Sequence, residues 1–188
     1  MRHKVYTREH ILKVAYEVIS KDGFSNFTAR NVAKKMGVST QPIYLEFENM
    51  QDLKNTLVET VYKDLEKRVF SIEHTGNKLV DLCINYIDFS QKNPKLFMAL
   101  YVDEYGGGKL MYQFSFTHFS ETIKELPEYS DLTEEYLKAL HKGIWISITG
   151  VAVLMSSKII EPSRQQIVGI INQTIEFILS VESIEKMM

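Results

Sequence analysis

The sequence predicts an all-α chain in which a compact three-helix N-terminal domain precedes a longer helical bundle. Three observations predict this. Apolar residues recur at three- and four-residue spacing, glycine and proline clusters cut the chain into pieces of helix length, and no stretch alternates as a strand does. With 188 residues, 45% of them hydrophobic, the chain can bury a substantial core as one domain or two small ones.

The elements follow in order. Thr7 can cap a first helix whose apolar face is Ile11, Leu12, Ala15, Val18 and Ile19, with Asp22-Gly23 marking its end. Thr28 offers a hydroxyl to the free N–H groups of a second helix, on which Val32, Ala33 and Met36 share a face. Gly37 suits the left-handed conformation that ends such a helix. Ser39 can then cap a third helix starting at Thr40, or Gln41 can cap it with Pro42 as first residue. In both frames Pro42 sits in the first turn, where it removes no helical hydrogen bond. Ile43 and Phe47 point inward while Thr40 and Gln41 stay exposed. Two short helices across a glycine turn make a helix-turn-helix unit. Asn49, with Asp52 three positions on, caps a long fourth helix carrying Leu53, Leu57, Val61 and Leu65.

Further breaks fall at His74-Thr75-Gly76, Asn93-Pro94, Gly106-Gly107-Gly108, Pro127 and Pro162. Between them we expect helices over Lys78–Gln91, Pro94–Tyr101 with Asn93 as cap, Lys109–Leu126, Thr133–Ile160 capped from Asp131 or Thr133, and Arg164–Ser180. On the first of these, Leu79, Leu82, Cys83, Tyr86 and Phe89 fall on one side. The last two are the most apolar. Ile144, Ile148, Val151, Leu154 and Met155, with Ile167, Ile170, Ile171, Ile175 and Ile178, exceed what one neighbouring helix shields. Either a monomer core or a two-fold dimer covers them, and Gly150 permits close helix approach.

The stretch FTARNVAKKMGVSTQPIYLEFENMQDL resembles the DNA-binding segment of TetR-family transcriptional regulators. Their pattern, T-x-R-x-x-A-x-x-x-G-V-S followed by an apolar-Tyr pair, Phe, and an acidic-Leu pair, is met in register. Thr28, Arg30, Ala33, Gly37, Val38, Ser39, Ile43, Tyr44, Phe47, Asp52 and Leu53 supply it. The match covers about the first quarter of the chain. It implies a helix-turn-helix DNA-binding domain over residues 1–50 and a helical effector-binding and dimerisation domain over 51–188. It also implies a homodimer through the two C-terminal long helices, which form a four-helix bundle with their copies.

On that resemblance, Thr40 and Gln41 are expected to read bases, glutamine pairing with adenine, and Arg30 to reach a guanine or a phosphate. Tyr44, Thr28 and Ser39 are expected to hold phosphates through hydroxyls and helix N-termini, Tyr44 having a half-buried structural role as its alternative. Two departures bear on DNA affinity. Glu46 replaces a residue that is commonly histidine or another non-acidic type, and Glu48 and Met50 stand where lysines are common. Two carboxylates facing a polyanion oppose binding: either binding is weaker, or another surface supplies the charge, the candidates being Lys34, Lys35 and Lys54, and Arg2, Lys4 and Arg8 on an N-terminal arm. Residues 1–50 hold eight basic and five acidic residues, and the remainder 14 and 19. A mildly basic head on an acidic body fits a DNA reader.

The middle of the chain is aromatic. Tyr86, Phe89, Phe97, Tyr101, Tyr112, Phe116 and Trp145, with Thr149, either fill core or line a pocket for a small hydrophobic or aromatic effector. Tyr105 and Phe119 belong to the same aromatic set. NPKLFMALY and WISITG resemble a subset of TetR-like sensors carrying Trp-x-x-x-His-Gly, Thr149 replacing the histidine. The expected function is a dimeric repressor released from a palindromic operator by that effector. The alternative is a helical protein-interaction module whose reading head has lost DNA binding.

Other classes find little support. No His has Glu three residues before it, as carboxylate-bridged metal bundles require, and no nucleophile elbow, phosphate loop or zinc spacing occurs. We therefore expect no enzyme, metal or cofactor, and read His118 as a polar core or pocket residue. The lone Cys83, among apolar neighbours, reads as a buried structural thiol. The N-terminus has no signal-peptide run, and the apolar stretch 143–157 is shorter than the roughly 20 residues of a membrane span. A cytoplasmic location with no membrane partner is the expectation.

Overall fold

The computed structural model describes residues 6–180 and divides them into two compact units, 6–64 with 95–112, and 65–94 with 113–180. Arg2 and Lys4, expected on an N-terminal arm, lie outside the described residues. Among the described residues every regular element is helical.

In the first unit, α1 (Arg8–Asp22) starts where the Thr7 hydroxyl accepts from the His10 N–H. It ends at Gly23, whose φ of 72° favours glycine. Its buried face is Ile11, Val14, Ala15, Val18 and Ile19, and Leu12 is half-buried at its edge. A tight turn over Phe24–Asn26 leads into α2 (Ala29–Met36), then α3 (Gln41–Glu46) and α4 (Met50–Leu65). α1 packs on both α2 and α3, and Asn49 caps α4 by accepting from the Gln51 and Asp52 N–H groups at 2.9 Å each. Leu53, Leu57, Val61 and Leu65 are buried.

The rest of this unit comes from far along the chain. α6 (Pro94–Phe97) is shorter than the sequence suggests, and the backbone continues from Met98 to Val102 as wider five-residue turns. The glycines at 106 and 107 serve close packing. A Cβ on Gly106 would stand 2.3 Å from the Ala99 carbonyl oxygen, and one on Gly107 would stand 2.8 Å from a Val58 methyl of α4.

In the second unit, α5 (Lys78–Lys92) packs against both α8 (Glu134–Ser156) and α9 (Arg164–Leu179), and those two pack on each other. α7 (Gly108–Lys124) contributes its C-terminal part. Caps are side-chain acceptors at Asn77, Thr133 and Ser163, the last forming a capping box with Gln166. Thr133, not Asp131, therefore starts α8. This helix stops at Ser156 rather than near Ile160 because Lys158 turns left-handed (φ 55°) and the Ser157, Lys158 and Ile159 N–H groups bond back into the last turn.

α5 is more buried than its polar residues suggest. Ten of its fifteen residues are buried, including Asp81, Asn85 and Ser90. Each has a partner: Asp81 accepts from the Thr75 N–H and hydroxyl, Asn85 donates to the Ile72 carbonyl at 2.7 Å, and Ser90 donates to the Ile87 carbonyl at 2.6 Å. Burial works against the Asp81 carboxylate, yet the hydrogen bonds from Thr75 and its neighbours hold its pKa below the ordinary value.

Within one chain, Gly150 has no atom near its missing side chain, whereas a Cβ on Gly143 would fall 2.4 Å from the Ile178 Cδ1; Gly143 is where α9 comes close. Leu154 is exposed. α8, at 23 residues, also reaches the length and apolarity of a membrane span, which the run 143–157 alone does not.

Candidate nucleic-acid interface and effector site

The Thr28 hydroxyl accepts from the Asn31 N–H at 3.2 Å and so opens α2 as the sequence requires. Gly37 closes it in the left-handed region (φ 72°, ψ 32°), its N–H donating to the Lys34 carbonyl and the Val38 N–H to the Ala33 carbonyl. α3 then begins differently from either expected frame. Its cap is Thr40, with no side-chain capping bond, so Ser39 does not cap; Gln41 and Pro42 form the first turn. A proline there offers no N–H for a serine hydroxyl to receive.

The two faces of α3 separate cleanly. Ile43 and Phe47 are 0% and 2% exposed, while Tyr44 is 52% exposed and Gln41 is also outward. Thr40 is half-buried, and Thr28, Arg30 and Ser39 are exposed. Tyr44 is thus an outward residue rather than a half-buried one.

The cations near α4 are committed within the unit. Arg8 stacks its guanidinium 4.1 Å from the centre of the Phe47 ring, donates to the Glu46 carbonyl, and donates to the Thr56 hydroxyl at 3.0 Å. Lys54 donates to the Tyr105 carbonyl and lies 5.0 Å from the centre of the Phe24 ring. Burial lowers the Lys54 pKa, opposed by the nearby Asp103 carboxylate. The sequence, in which both read as surface cations, carries no local sign of these long-range partners.

In the second unit Tyr86, Phe116, Trp145 and Thr149 belong to one cluster with a residue the sequence reading passed over, His141. The Tyr86 and Thr149 hydroxyls are 3.0 Å apart, and the Tyr86 ring lies 5.7 Å from that of Trp145. His141 stands 5.6 Å from Trp145, 5.3 Å from Phe116 and 5.2 Å from Phe119, with its Nε2 2.9 Å from the Ser115 hydroxyl. Burial pushes its pKa down to about 4, so it is neutral at pH 7. Burial raises the Tyr86 pKa, its hydroxyl bond with Thr149 opposing. The available signal was spacing: 141, 145 and 149 share one face of α8. Phe89, one turn from Tyr86, is buried. Phe97, Tyr101 and Tyr112 belong to the first unit, where Phe97 stacks on Tyr101 at 5.2 Å and burial raises the Tyr112 pKa. His118 pairs with Glu66 at 2.8 Å. Cys83 is buried, its pKa raised to about 12 by burial. Among the described residues no group of three or more His, Cys, Asp or Glu side chains is placed to hold a metal ion.

Comparison with known proteins bears on the N-terminal module and on the fold. Residues 11–56 match the model of bacterial regulatory proteins of the TetR family. The nucleoid occlusion factor SlmA of Mannheimia succiniciproducens is 30% identical over 98 residues, a match covering 50% of this chain and 45% of that protein. The chain thus matches less than half the length of that curated relative. A TetR-family transcriptional regulator from Vibrio parahaemolyticus superposes with a TM-score of 0.65 at 14% identity, over 90% of this chain and 96% of that one. The fatty acid degradation regulator FadR from Bacillus halodurans gives 0.60 at 16% identity, over 95% and 97%. At such identities these likenesses speak to the fold. The family's helix-turn-helix module thus lies at residues 11–56, and over nine-tenths of its length the chain has the fold of a TetR-family regulator structure.

Proposed function

We propose that the protein is a dimeric, ligand-responsive transcriptional repressor that binds a palindromic operator. The observation that carries this is the two-sided third helix: Ile43 and Phe47 anchor it while Gln41 and Tyr44 face outward, with Thr28, Arg30 and Ser39 exposed and Thr40 half-buried. Residues 1–50 act as the reading head, with Thr40 and Gln41 on base edges and the others on phosphate. Residues 51–188 bind effector and partner. A homodimer through α8 and α9 is supported by an apolar surface groove that includes Ile146 and Phe177, 62% and 64% exposed. Two such heads read successive major grooves about 34–36 Å apart.

The effector is a small hydrophobic or aromatic molecule, and the cluster of Tyr86, Phe116, Trp145 and Thr149 with neutral His141 presents rings and hydroxyls without formal charge. Phe89, buried one turn from Tyr86 in the same unit, belongs with this cluster. An effector that prefers the DNA-incompetent conformation weakens operator binding by its differential affinity, typically about 1–3 kcal/mol. The protein acts in the cytoplasm, with no membrane partner and no catalytic role. Selection of bound duplexes from a random pool by the purified protein should enrich a palindrome, and a screen for small molecules that release the winning site should find the effector class. A pool that enriches nothing sinks the reading and favours a protein-interaction module.

A further inference from the structure

Arg8 and Lys54, the cations held at the α3–α4 edge, are occupied, which raises the question of what neutralises phosphate. Arg8 is held by the Phe47 ring, the Glu46 carbonyl and Thr56; Lys54 is held by the Tyr105 carbonyl and the Phe24 ring. Glu48 is exposed and Glu46 half-buried on the same edge. That edge offers a duplex little net attraction.

The α1–α2 side differs. Between the C-terminal half of α1 and α2 runs an open groove of about 600 Å³ lined by Lys21, Lys34, Lys35, Asn26 and Asn31, with Val18 and one carboxylate, Asp22. Lys35 pairs with Glu17 at 3.2 Å. Lys21 and Lys34 are exposed and make no ion pair among the described residues, and Arg30, one turn before Lys34, is exposed as well. The asparagine amides build the wall: Asn31 donates to the Asn26 carbonyl at 2.9 Å and Asn26 to the Asp22 carbonyl at 3.3 Å. Arg30 and Lys34 lie about 6 Å apart along the helix axis, close to two charge steps of one DNA strand.

We infer that the α1–α2 groove, through Lys21 and Lys34 in line with Arg30, is the phosphate-neutralising surface for a bound duplex, in place of the α3–α4 edge. This rests on the DNA-binding reading above. A duplex backbone fits better than an acidic peptide because the cationic row continues along α2 into exposed Arg30 and Thr28, on the first helix of the helix-turn-helix itself.

The test is the salt dependence of binding to a random-sequence duplex of about 30 base pairs, followed by fluorescence anisotropy from about 50 to about 300 mM salt. Each lost phosphate contact removes about 0.9 from the slope of log K against log[salt], so Lys21→Ala/Lys34→Ala should flatten it by about 1.8 per protomer. Lys54→Met should leave the slope unchanged, and Lys21→Arg/Lys34→Arg should keep it. An unaltered slope in the double alanine variant, with a reduced one in Lys54→Met, overturns the inference while leaving DNA binding intact. Loss of polyglutamate binding by the double variant with an unchanged duplex slope also overturns it, in favour of an acidic peptide. A wild-type protein showing no salt-dependent binding overturns the DNA reading itself.

Discussion

Gly37 decides whether α2 and α3 keep the angle that displays Gln41 and Tyr44, and its replacement isolates one physical quantity. At φ 72° and ψ 32° it occupies the left-handed region, and a Cβ placed there meets nothing within 4 Å. Steric crowding with the rest of the protein therefore contributes nothing, and Gly37→Ala measures backbone strain alone. That strain is roughly 1–2 kcal/mol for an L-residue, of which about 0.4–1 kcal/mol is offset by the reduced freedom of the unfolded chain. A net loss of about 1 kcal/mol corresponds to roughly fivefold faster exchange of the Val32 and Ala33 amide hydrogens if opening is local to the reading head. Exchange in α5, in the other unit, should not change. Asparagine tolerates this conformation better, so Gly37→Asn should fall between glycine and alanine. Equal exchange in all three proteins, or an alanine variant no faster than wild type, would refute the assignment of strain to this residue.

Three further outcomes are expected. His141 has a folded pKa near 4 against an ordinary 6.5, so the unfolded chain binds more protons between those values and stability should fall as pH drops from 6.5 to 4. The full effect is about 3 kcal/mol, and urea unfolding of His141→Gln should show a flatter pH profile over that window. Gly106→Ala places a methyl 2.3 Å from the Ala99 carbonyl oxygen and 2.8 Å from that of Asp103. It should cost about 1–3 kcal/mol locally and accelerate exchange of the Asp103 N–H, which donates to Met98; unchanged exchange contradicts the close-packing role. Cys83, with its thiol pKa near 12, should react with a disulfide reagent at pH 8 only as fast as the protein opens, and rapid labelling of the native protein would show that burial has been misassigned.

The helix starts were legible because capping is local. Thr7, Thr28, Asn49 and Thr133 each accept a hydrogen bond from an N–H two or three residues ahead, within reach of the sequence itself. Ser39 does not cap because Pro42 stands where the donating N–H would be. α5 was harder. Its buried Asp81, Asn85 and Ser90 look like a solvated face until the carbonyls and hydroxyls that satisfy them are in place.

The residues assigned to DNA and effector divide in the same way. An ordered pattern from Thr28 to Leu53 identifies a helix-turn-helix whose third helix turns Ile43 and Phe47 inward and Gln41 outward, because helical periodicity and glycine's left-handed preference act over a few residues; Thr40, expected exposed, is half-buried, and only the fold decides that Tyr44 faces outward. Tertiary structure alone decided that Arg8 and Lys54 are engaged while Lys21 and Lys34 are not, and that His141 joins Tyr86, Trp145 and Phe116. The reason is distance along the chain: Lys54 meets the carbonyl of Tyr105 and Tyr86 meets Thr149 only after folding brings together helices that no local pattern can pair.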